Sequence, residues 1–179
     1  FPYPSEISVE DACFEAGLSS ETAKYLGKIV FGENFKLRSH QARALIASVS
    51  KTSKKKNVIV TSGTGSGKTE SFLLPVIARI LEERAINKDS GYINKWWEQN
   101  SQSSQTWKGV RSSIVSVHKP AVRAMLLYPT NALVEDQISR LRRASFVARD
   151  IFGLPLFYFG RYTGATPGGT KFPGSSSRF

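Results

Sequence analysis

The chain alternates between stretches in which apolar residues recur every three or four positions and short, continuous apolar runs. The first pattern predicts amphipathic helices. A polar residue precedes most of them, as expected where the first backbone N–H groups of a helix need partners. The pattern predicts five helices: residues 8–17 ending at Gly17, a second capped by Ser20, a third capped by Ser39, residues 70–83, and a fifth capped by Thr130 or Asn131.

Two of these helices carry further features. Pro75 lies inside the fourth and has no N–H to bond to the Ser71 carbonyl, so it should kink the helix or loosen its first turns. Arginines at the far end of the fifth helix suit the negative end of the helix dipole. They are Arg140, Arg142, Arg143 and Arg149.

The apolar runs predict strands at residues 58–60, 124–128 and 156–159, of which the strand at 124–128 is expected to be buried. Alternation of strands and helices favours an α/β fold with a parallel sheet. The periodicity disappears near residues 87–119, which predicts a polar insertion anchored by Trp96 and Trp97 rather than a base-stacking platform. The tail, residues 168–179, is predicted to be a flexible loop.

Charge indicates the class of partner. The 179 residues carry a formal net charge of +11, and 40% of them are hydrophobic. A basic excess of this size favours a polyanionic partner, nucleic acid before membrane, although a solvated basic surface is the alternative. No run is long enough to span a bilayer.

Cys13 and the chain start bear on compartment. A single cysteine excludes an intrachain disulfide and a cysteine-rich zinc site, and it is interpreted as a small core residue rather than a reactive thiol. A reducing, cytoplasmic environment fits. The start at Phe1 has no signal-peptide pattern and no initiator methionine, so we expect a processed chain or an excerpt.

A glycine-rich loop separates the first predicted strand from the fourth helix. Its residues are Ser62, Gly63, Thr64, Gly65, Ser66, Gly67, Lys68 and Thr69. Strand, loop and helix in this order predict a phosphate-binding P-loop, since glycines let backbone N–H groups surround an anion. Lys68 would reach the β- and γ-phosphates of ATP, and Thr69 would hold Mg²⁺. Ser62 departs from the glycine of the usual pattern, and a merely structural turn is the alternative.

Four segments occur in an order that resembles superfamily 2 DEAD/DEAH-box helicases. They are Leu37-Arg38-Ser39-His40-Gln41 (Q-motif), residues 62–70 (motif I), Tyr128-Pro129-Thr130-Asn131-Ala132-Leu133-Val134-Glu135-Asp136-Gln137 (motif Ia) and Tyr162-Thr163-Gly164-Ala165-Thr166-Pro167. The last segment and the wording of motif Ia are similar to a DNA-helicase branch. The resemblance covers residues 35–167 and implies part of a RecA-like ATP-binding lobe, preceded by a helical segment, residues 1–34.

The resemblance also implies roles for residues near the nucleotide. Gln41 would read the adenine edge, although it could be a helix-surface glutamine. Arg38 would pack near the base or phosphates, or lie on the surface. The cofactor-binding set extends from Ser62 to Glu70, with Lys68 and Thr69 as the catalytic members.

A second implied set would contact nucleic acid. Thr130, with Pro129 and Asn131, lies at a helix N-terminus that suits a phosphate, while the alternative is that Thr130 only caps its helix. Gln137 would support this loop or face solvent. Thr163 and Gly164 would form a second backbone contact or a simple turn.

The chain departs from the family in lacking motif II, an Asp–Glu pair at a strand end that holds Mg²⁺. The aspartates are Asp11, Asp89, Asp136 and Asp150, and none fits. We therefore expect the chain to bind ATP but to be inactive alone, because phosphoryl transfer needs further charge stabilisation. Without a neighbouring strand, residues 58–60 would keep an open apolar edge.

These observations predict the first portion of an ATP-dependent DNA helicase or translocase that works with a second RecA-like lobe and possible protein partners. The resemblance is compatible with a bacterial origin. Two alternatives stay open: a non-catalytic nucleic-acid-binding or assembly module with a P-loop, and a P-loop ATPase that remodels protein.

Overall fold

The computed structural model describes residues 7–33, 35–52, 57–61, 63, 65–86 and 121–163. The chain divides into two units, one of Phe1–Lys88 with Tyr128–Phe159 and one of Asp89–Leu127 with Gly160–Phe179. In the described part of the first unit the chain forms five helices: α1 (Val9–Glu15), α2 (Ser20–Phe31), α3 (Ser39–Val49), α4 (Lys68–Ile86) and α5 (Asn131–Phe152). None of the helices in these ranges is both long and apolar enough to cross a membrane. The predicted insertion and tail lie outside the described residues.

Local capping explains where the first helices begin and end. Ser8 caps α1, since its Oγ accepts a bond of 3.0 Å from the Asp11 N–H. Gly17 follows α1 with a left-handed φ of +73°, as its predicted position requires. The prediction that Ser20 caps α2 is wrong by one residue. Ser19 is the cap, and its Oγ accepts from the Thr22 N–H.

The start of α3 also differs from the prediction. Ser39 is the first helical residue and Arg38 is the cap. The cause is Gln41, whose Oε1 accepts a 2.9 Å bond from the Arg38 backbone N–H. A side chain that reaches back from the third helical position satisfies a donor that the helix itself leaves unpaired.

Helix α4 is the centre of the first unit. It is assigned as helix from Lys68 to Ile86 without a break at Pro75, and it is longer at both ends than predicted. Helices α2 and α3 both pack on α4, whereas α5 packs on α2. The core comprises buried aliphatic side chains of α2, α3 and α4, together with Leu37 just before α3: Leu26, Ile29, Leu37, Leu45, Leu74, Ile77 and Leu81. Val9, Ala12 and Cys13 of α1 belong to the same cluster. Helices α1 and α2 therefore share one core with the P-loop helix.

Cys13 lies fully buried in this core, which confirms its interpretation as a small core residue. Burial, and then the negative charges of Glu82 and Glu10, raise the pKa of its thiol to about 12. The thiolate, which is the reactive form, is therefore suppressed at neutral pH.

The predicted strands are not assigned as strands in the described residues, where the β-pairing found is one antiparallel bridge between Ser8 and Lys36. Leu127 is 83% exposed, although it was expected to be buried, and Ile59 of the predicted strand with an open edge is 91% exposed. A cleft of about 350 Å³ is lined by Val58 and Val60 and by Phe72 of α4. Strands need neighbouring strands to bury their faces, and the parallel sheet remains a prediction.

A carboxylate network joins α4 to the start of α2. The Oε1 atom of Glu82 accepts bonds from the Ser19 N–H (2.7 Å), the Ser19 hydroxyl (2.5 Å) and the Thr22 hydroxyl (2.7 Å). Lys51 lies 3.5 Å from Glu82 Oε2. Burial alone would raise the pKa of Glu82, but the hydrogen bonds from Ser19 and Thr22 and the charge of Lys51 outweigh it and lower the pKa.

We predict that Glu82→Gln destabilises the chain by about 1–2 kcal/mol at neutral pH, because hydrogen bonds to a charged group are stronger than neutral ones. A lowered pKa stabilises the fold at pH values above the unfolded value, near 4.5. This stabilisation is lost as pH falls through the folded value. The difference in the free energy of unfolding between wild type and variant, measured by urea unfolding, should therefore become smaller below that pH.

Glu15→Gln is the matched control, because Glu15 is exposed at the end of α1. It should change the free energy of unfolding by less than about 0.5 kcal/mol. A Glu82→Gln effect that stays constant from pH 7 to pH 3 would contradict the prediction.

Candidate functional site

The glycine-rich loop runs directly into α4. Of its residues, Gly63 and residues 65–69 are described, while Ser62 and Thr64 lie outside the described part. Gly65 and Gly67 have left-handed φ angles of +73° and +76°. The loop ends at Lys68, the first residue of a 19-residue helix. The first N–H groups of such a helix have no intrahelical partner and carry the positive end of its dipole, which suits an anion.

Two side chains at the start of α3 hold the carbonyl groups of this loop. Arg38 Nη1 donates to the Gly65 carbonyl at 3.0 Å, and Gln41 Nε2 donates to the Gly67 carbonyl at 3.0 Å. The C=O and N–H of a trans peptide point in opposite directions. Holding these two carbonyls therefore turns the N–H groups of the following residues, Ser66 and Lys68, away from Arg38 and Gln41.

Gly67 is needed for a second reason besides its φ angle. A Cβ at this position would lie 2.5 Å from Gln41 Nε2 and 3.0 Å from Glu70 Oε2. A Cβ at Gly65 would meet nothing within 4 Å. The two glycines share a backbone conformation, but only Gly67 is enclosed by side chains.

Gln41 is 2% exposed, which makes the helix-surface alternative wrong. Both ends of its amide are engaged, since Nε2 bonds Gly67 and Oε1 bonds Arg38. Each amide atom can still form one more bond. Its contact with adenine stays a prediction.

Lys68 and Thr69 are the first two residues of α4, at the end of the glycine-rich loop. The Lys68 amine lies back over the loop and donates to the Gly63 carbonyl at 3.1 Å, while its side chain is exposed. Thr69 is the second residue of α4. The residues described here contain no cluster of three or more His, Cys, Asp or Glu side chains that could hold a metal ion. An amine and a hydroxyl at the start of a helix are groups that suit a triphosphate and Mg²⁺, and the roles of Lys68 and Thr69 in binding them stay predictions.

The predicted nucleic-acid loop lies at the start of α5. Thr130 is the N-cap of this helix, yet its side chain makes no capping hydrogen bond. Pro129, Thr130 and Asn131 are all exposed. The hydroxyl of Thr130 is therefore not used for capping, contrary to the purely structural alternative.

Gln137 is buried and donates to Asp136 Oδ2 at 2.9 Å, so the solvent-facing alternative is wrong. Thr163 belongs to the second unit, and Gly164 lies outside the described residues. Their contact with nucleic acid remains a prediction. The first unit thus contains the P-loop, the Q-motif residues that contact it and the Thr130 loop.

The structure adds one contact that the sequence did not indicate. Arg140, expected to serve the α5 dipole, lies in the middle of the helix and forms a 2.6 Å ion pair with Glu70. Its second partner, Asp136 at 3.1 Å, has the i, i+4 spacing that a helix pattern reveals. No sequence signal links residues 70 and 140.

Tyr128 lies in the same region, and its hydroxyl is buried without a hydrogen-bond partner among the described residues. Burial and the charge of Asp136 raise the pKa of Tyr128, against the opposing charge of Arg140. Glu70 Oε2 is likewise buried and lacks a partner in the described part. Two buried polar atoms near the Glu70–Arg140 pair therefore have no hydrogen-bond partner among the described residues.

Comparison with known proteins gives one family. The model of the DEAD/DEAH box helicase family matches residues 38–154. The chain is 33% identical to Druantia protein DruE of Escherichia coli, over 98% of this chain and 8% of that protein. It is 28% identical to the mitochondrial ATP-dependent RNA helicase MRH4 of Lodderomyces elongisporus, over 73% of this chain and 19% of the relative.

The pre-mRNA-processing ATP-dependent RNA helicase prp5 of Emericella nidulans is 29% identical over 73% of this chain and 10% of its own length. The chain thus spans less than a fifth of these curated relatives. No solved structure matches.

We predict that Gly67→Ala destabilises the chain more than Gly65→Ala. Both substitutions place a Cβ on a left-handed residue, at a cost of about 1–2 kcal/mol. Only Gly67→Ala also pushes against Gln41, which should add about 1–3 kcal/mol. Urea unfolding of the purified variants measures the difference.

Gln41→Ala provides the test of cause. In this background the side chain that meets the new Cβ is gone, so the excess cost of Gly67→Ala over Gly65→Ala should shrink. An unchanged excess would show that the Gln41 contact is not responsible.

Proposed function

Because the chain belongs to the DEAD/DEAH box helicase family, we propose that it is the ATP-binding portion of an ATP-dependent DNA helicase or translocase. The observation that carries this proposal is the pair of bonds from Arg38 and Gln41 to the Gly65 and Gly67 carbonyls. They join the Q-motif to the P-loop in one structural unit. A second RecA-like lobe and the missing Asp–Glu pair would come from the rest of a longer protein.

The loop would bind the phosphates of ATP through its backbone. The N–H groups of Ser66 and Lys68, turned away from the Arg38 and Gln41 side chains, provide donors, and the N-terminus of α4 adds its dipole. The Lys68 amine, which now donates to the Gly63 carbonyl, would turn to the β- and γ-phosphates. Mg²⁺, when bound at Thr69, neutralises phosphate charge.

The Thr130 loop would bind the backbone of the nucleic acid. An exposed hydroxyl at the N-terminus of a 22-residue helix is suited to a phosphate. Contacts of this kind fix position without reading bases, so binding should depend strongly on salt and little on sequence. The net charge of +11 supports such binding.

DNA is proposed as the nucleic acid rather than RNA. The support is the similarity of the segments at residues 128–137 and 162–167 to a DNA-helicase branch of the superfamily. Two of the relatives above are named as RNA helicases, and DruE, which covers nearly the whole chain, is not. The preference therefore needs a direct comparison of the two nucleic acids.

We predict that Lys68→Ala in the full-length protein lowers the rate of ATP hydrolysis by at least about 100-fold, because charge stabilisation at the phosphates is lost. A coupled phosphate-release assay measures this rate. Lys28→Ala, at the exposed end of α2, is the control and should hydrolyse ATP like wild type. Retained hydrolysis in Lys68→Ala would overturn the assignment of the P-loop.

We predict that Thr130→Ala lowers the nucleic-acid-stimulated rate of ATP hydrolysis about tenfold, the value of one hydrogen bond to a charged group. The basal rate should stay the same, and so should the melting temperature, because the Thr130 side chain does not cap α5. Thr130→Ser should restore stimulation.

The same assay tests the choice of nucleic acid. Single-stranded DNA should stimulate hydrolysis more than RNA of the same sequence and length. Equal loss of the basal and stimulated rates in Thr130→Ala would indicate a structural role for Thr130. Stronger stimulation by RNA than by DNA would identify RNA as the substrate instead of DNA.

A further inference from the structure

One guanidinium joins the P-loop helix to the helix that begins with the Thr130 loop. Arg140 Nη1 donates to Glu70 Oε1 at 2.6 Å, and Arg140 Nε donates to Asp136 Oδ2 at 3.1 Å. Asp136 Oδ2 also accepts from Gln137 Nε2 at 2.9 Å. The arginine is thus held by two carboxylates on different helices, and the Asp136 side of this arrangement is further fixed by a buried glutamine.

Glu70 places this ion pair directly beside the phosphate-binding loop. It lies in the first turn of α4, two residues after Lys68, and its Oε2 lies next to Gly67, 3.0 Å from where a Cβ would be. Its side chain is only 13% exposed. A poorly solvated carboxylate at this point repels the phosphates of a nucleotide unless a cation compensates its charge. Arg140 supplies that cation.

The other side of the pair is a rigid helix. Arg140 lies ten residues after Thr130, about 15 Å along α5 at the usual helical rise. Helix α5 packs on α2, and its backbone does not closely approach α4. The link at the P-loop end is therefore made by side chains rather than by helix packing.

In the described part of the chain, two ring contacts also join α4 to α5 or to the segment preceding it. Phe72 and Tyr128 pack with ring centroids 6.4 Å apart, and Arg84 lies 3.9 Å from the centroid of the Phe152 ring at the far end of α5. Neither involves a charge in the first turn of α4. The Glu70–Arg140 pair places a charged connection at that turn.

We propose that Arg140 is a positioning residue that couples nucleotide binding to nucleic-acid binding. Its positive charge compensates the negative charge of Glu70 beside the loop. It also holds α5, which begins at the Thr130 loop, in one position relative to the P-loop. This inference rests on the proposed function, since it assumes that both ligands bind. A nucleotide phosphate bound near Gly67 and a nucleic-acid strand bound at Thr130 then both act on this ion pair, the first through Glu70 and the second through α5.

The test is a coupling measurement in the full-length protein. The affinity for a non-hydrolysable ATP analogue is measured with and without saturating single-stranded DNA, and the ratio of the two affinities is the coupling factor. Arg140→Gln should reduce this factor at least threefold towards one. Glu70→Gln should reduce it similarly, and the double variant should lose no more than either single variant, because both remove the same contact.

Arg140→Gln should also weaken binding of the analogue without DNA more than Glu70→Gln does. Only the first variant leaves the Glu70 carboxylate uncompensated beside the phosphates. Arg140→Lys, which keeps the charge but not the two-pronged geometry, should retain the affinity for the analogue and part of the coupling. It also provides a measurement should Arg140→Gln fold poorly.

Arg142→Gln is the matched control, because Arg142 is exposed on the same helix two residues further along. It should keep the wild-type coupling factor. Wild-type coupling in Arg140→Gln, or equal losses in Arg140→Gln and Arg142→Gln, would overturn this inference and leave the proposed function intact. A wild-type protein that binds no ATP analogue or no nucleic acid would overturn both.

Discussion

The hydrogen bond from the Gln41 amide to the Gly67 carbonyl connects the glycine-rich loop to the helix beside it. It joins the first turn of α3 to the last glycine of the loop, and the same amide caps α3 through the Arg38 N–H. One buried side chain therefore sets both where a helix starts and how a loop is turned. With Arg38 holding Gly65, it fixes the orientation of peptide groups that the glycines alone would leave free.

Helix α4 organises the first unit through a carboxylate near each end. Glu82 gathers the cap of α2, and Glu70 holds Arg140 of α5. Both carboxylates are largely shielded from water, where hydrogen bonds and charges act more strongly than at the surface. In a chain with a net charge of +11, two acidic side chains thus connect α4 to α2 and to α5.

Local signals in the sequence predicted the helices and the loop, whereas contacts between distant segments stayed hidden. Capping and periodicity are short-range properties, and the errors at Ser20 and Ser39 are of one residue, caused by a second serine and by the reach of Gln41. Burial of Gln41 and the pairing of Glu70 with Arg140 depend on packing and could not be read from spacing. The apolar runs near Val58 and Leu127 predicted strands, but a strand is defined by its neighbours, which no local pattern supplies.

The packing of α5 on α2 means that the first unit needs residues that lie before the start of the family match. Arg143 donates to the Phe31 carbonyl at the end of α2, and Tyr25 meets Phe152 edge to face at 5.3 Å. The family match begins at residue 38, after α2 has ended. A truncation made at that border would remove α2, on which α5 packs. The helix that begins with the Thr130 loop would then lose its support. The N-terminal helices are thus a structural part of the first unit rather than an appendage to it.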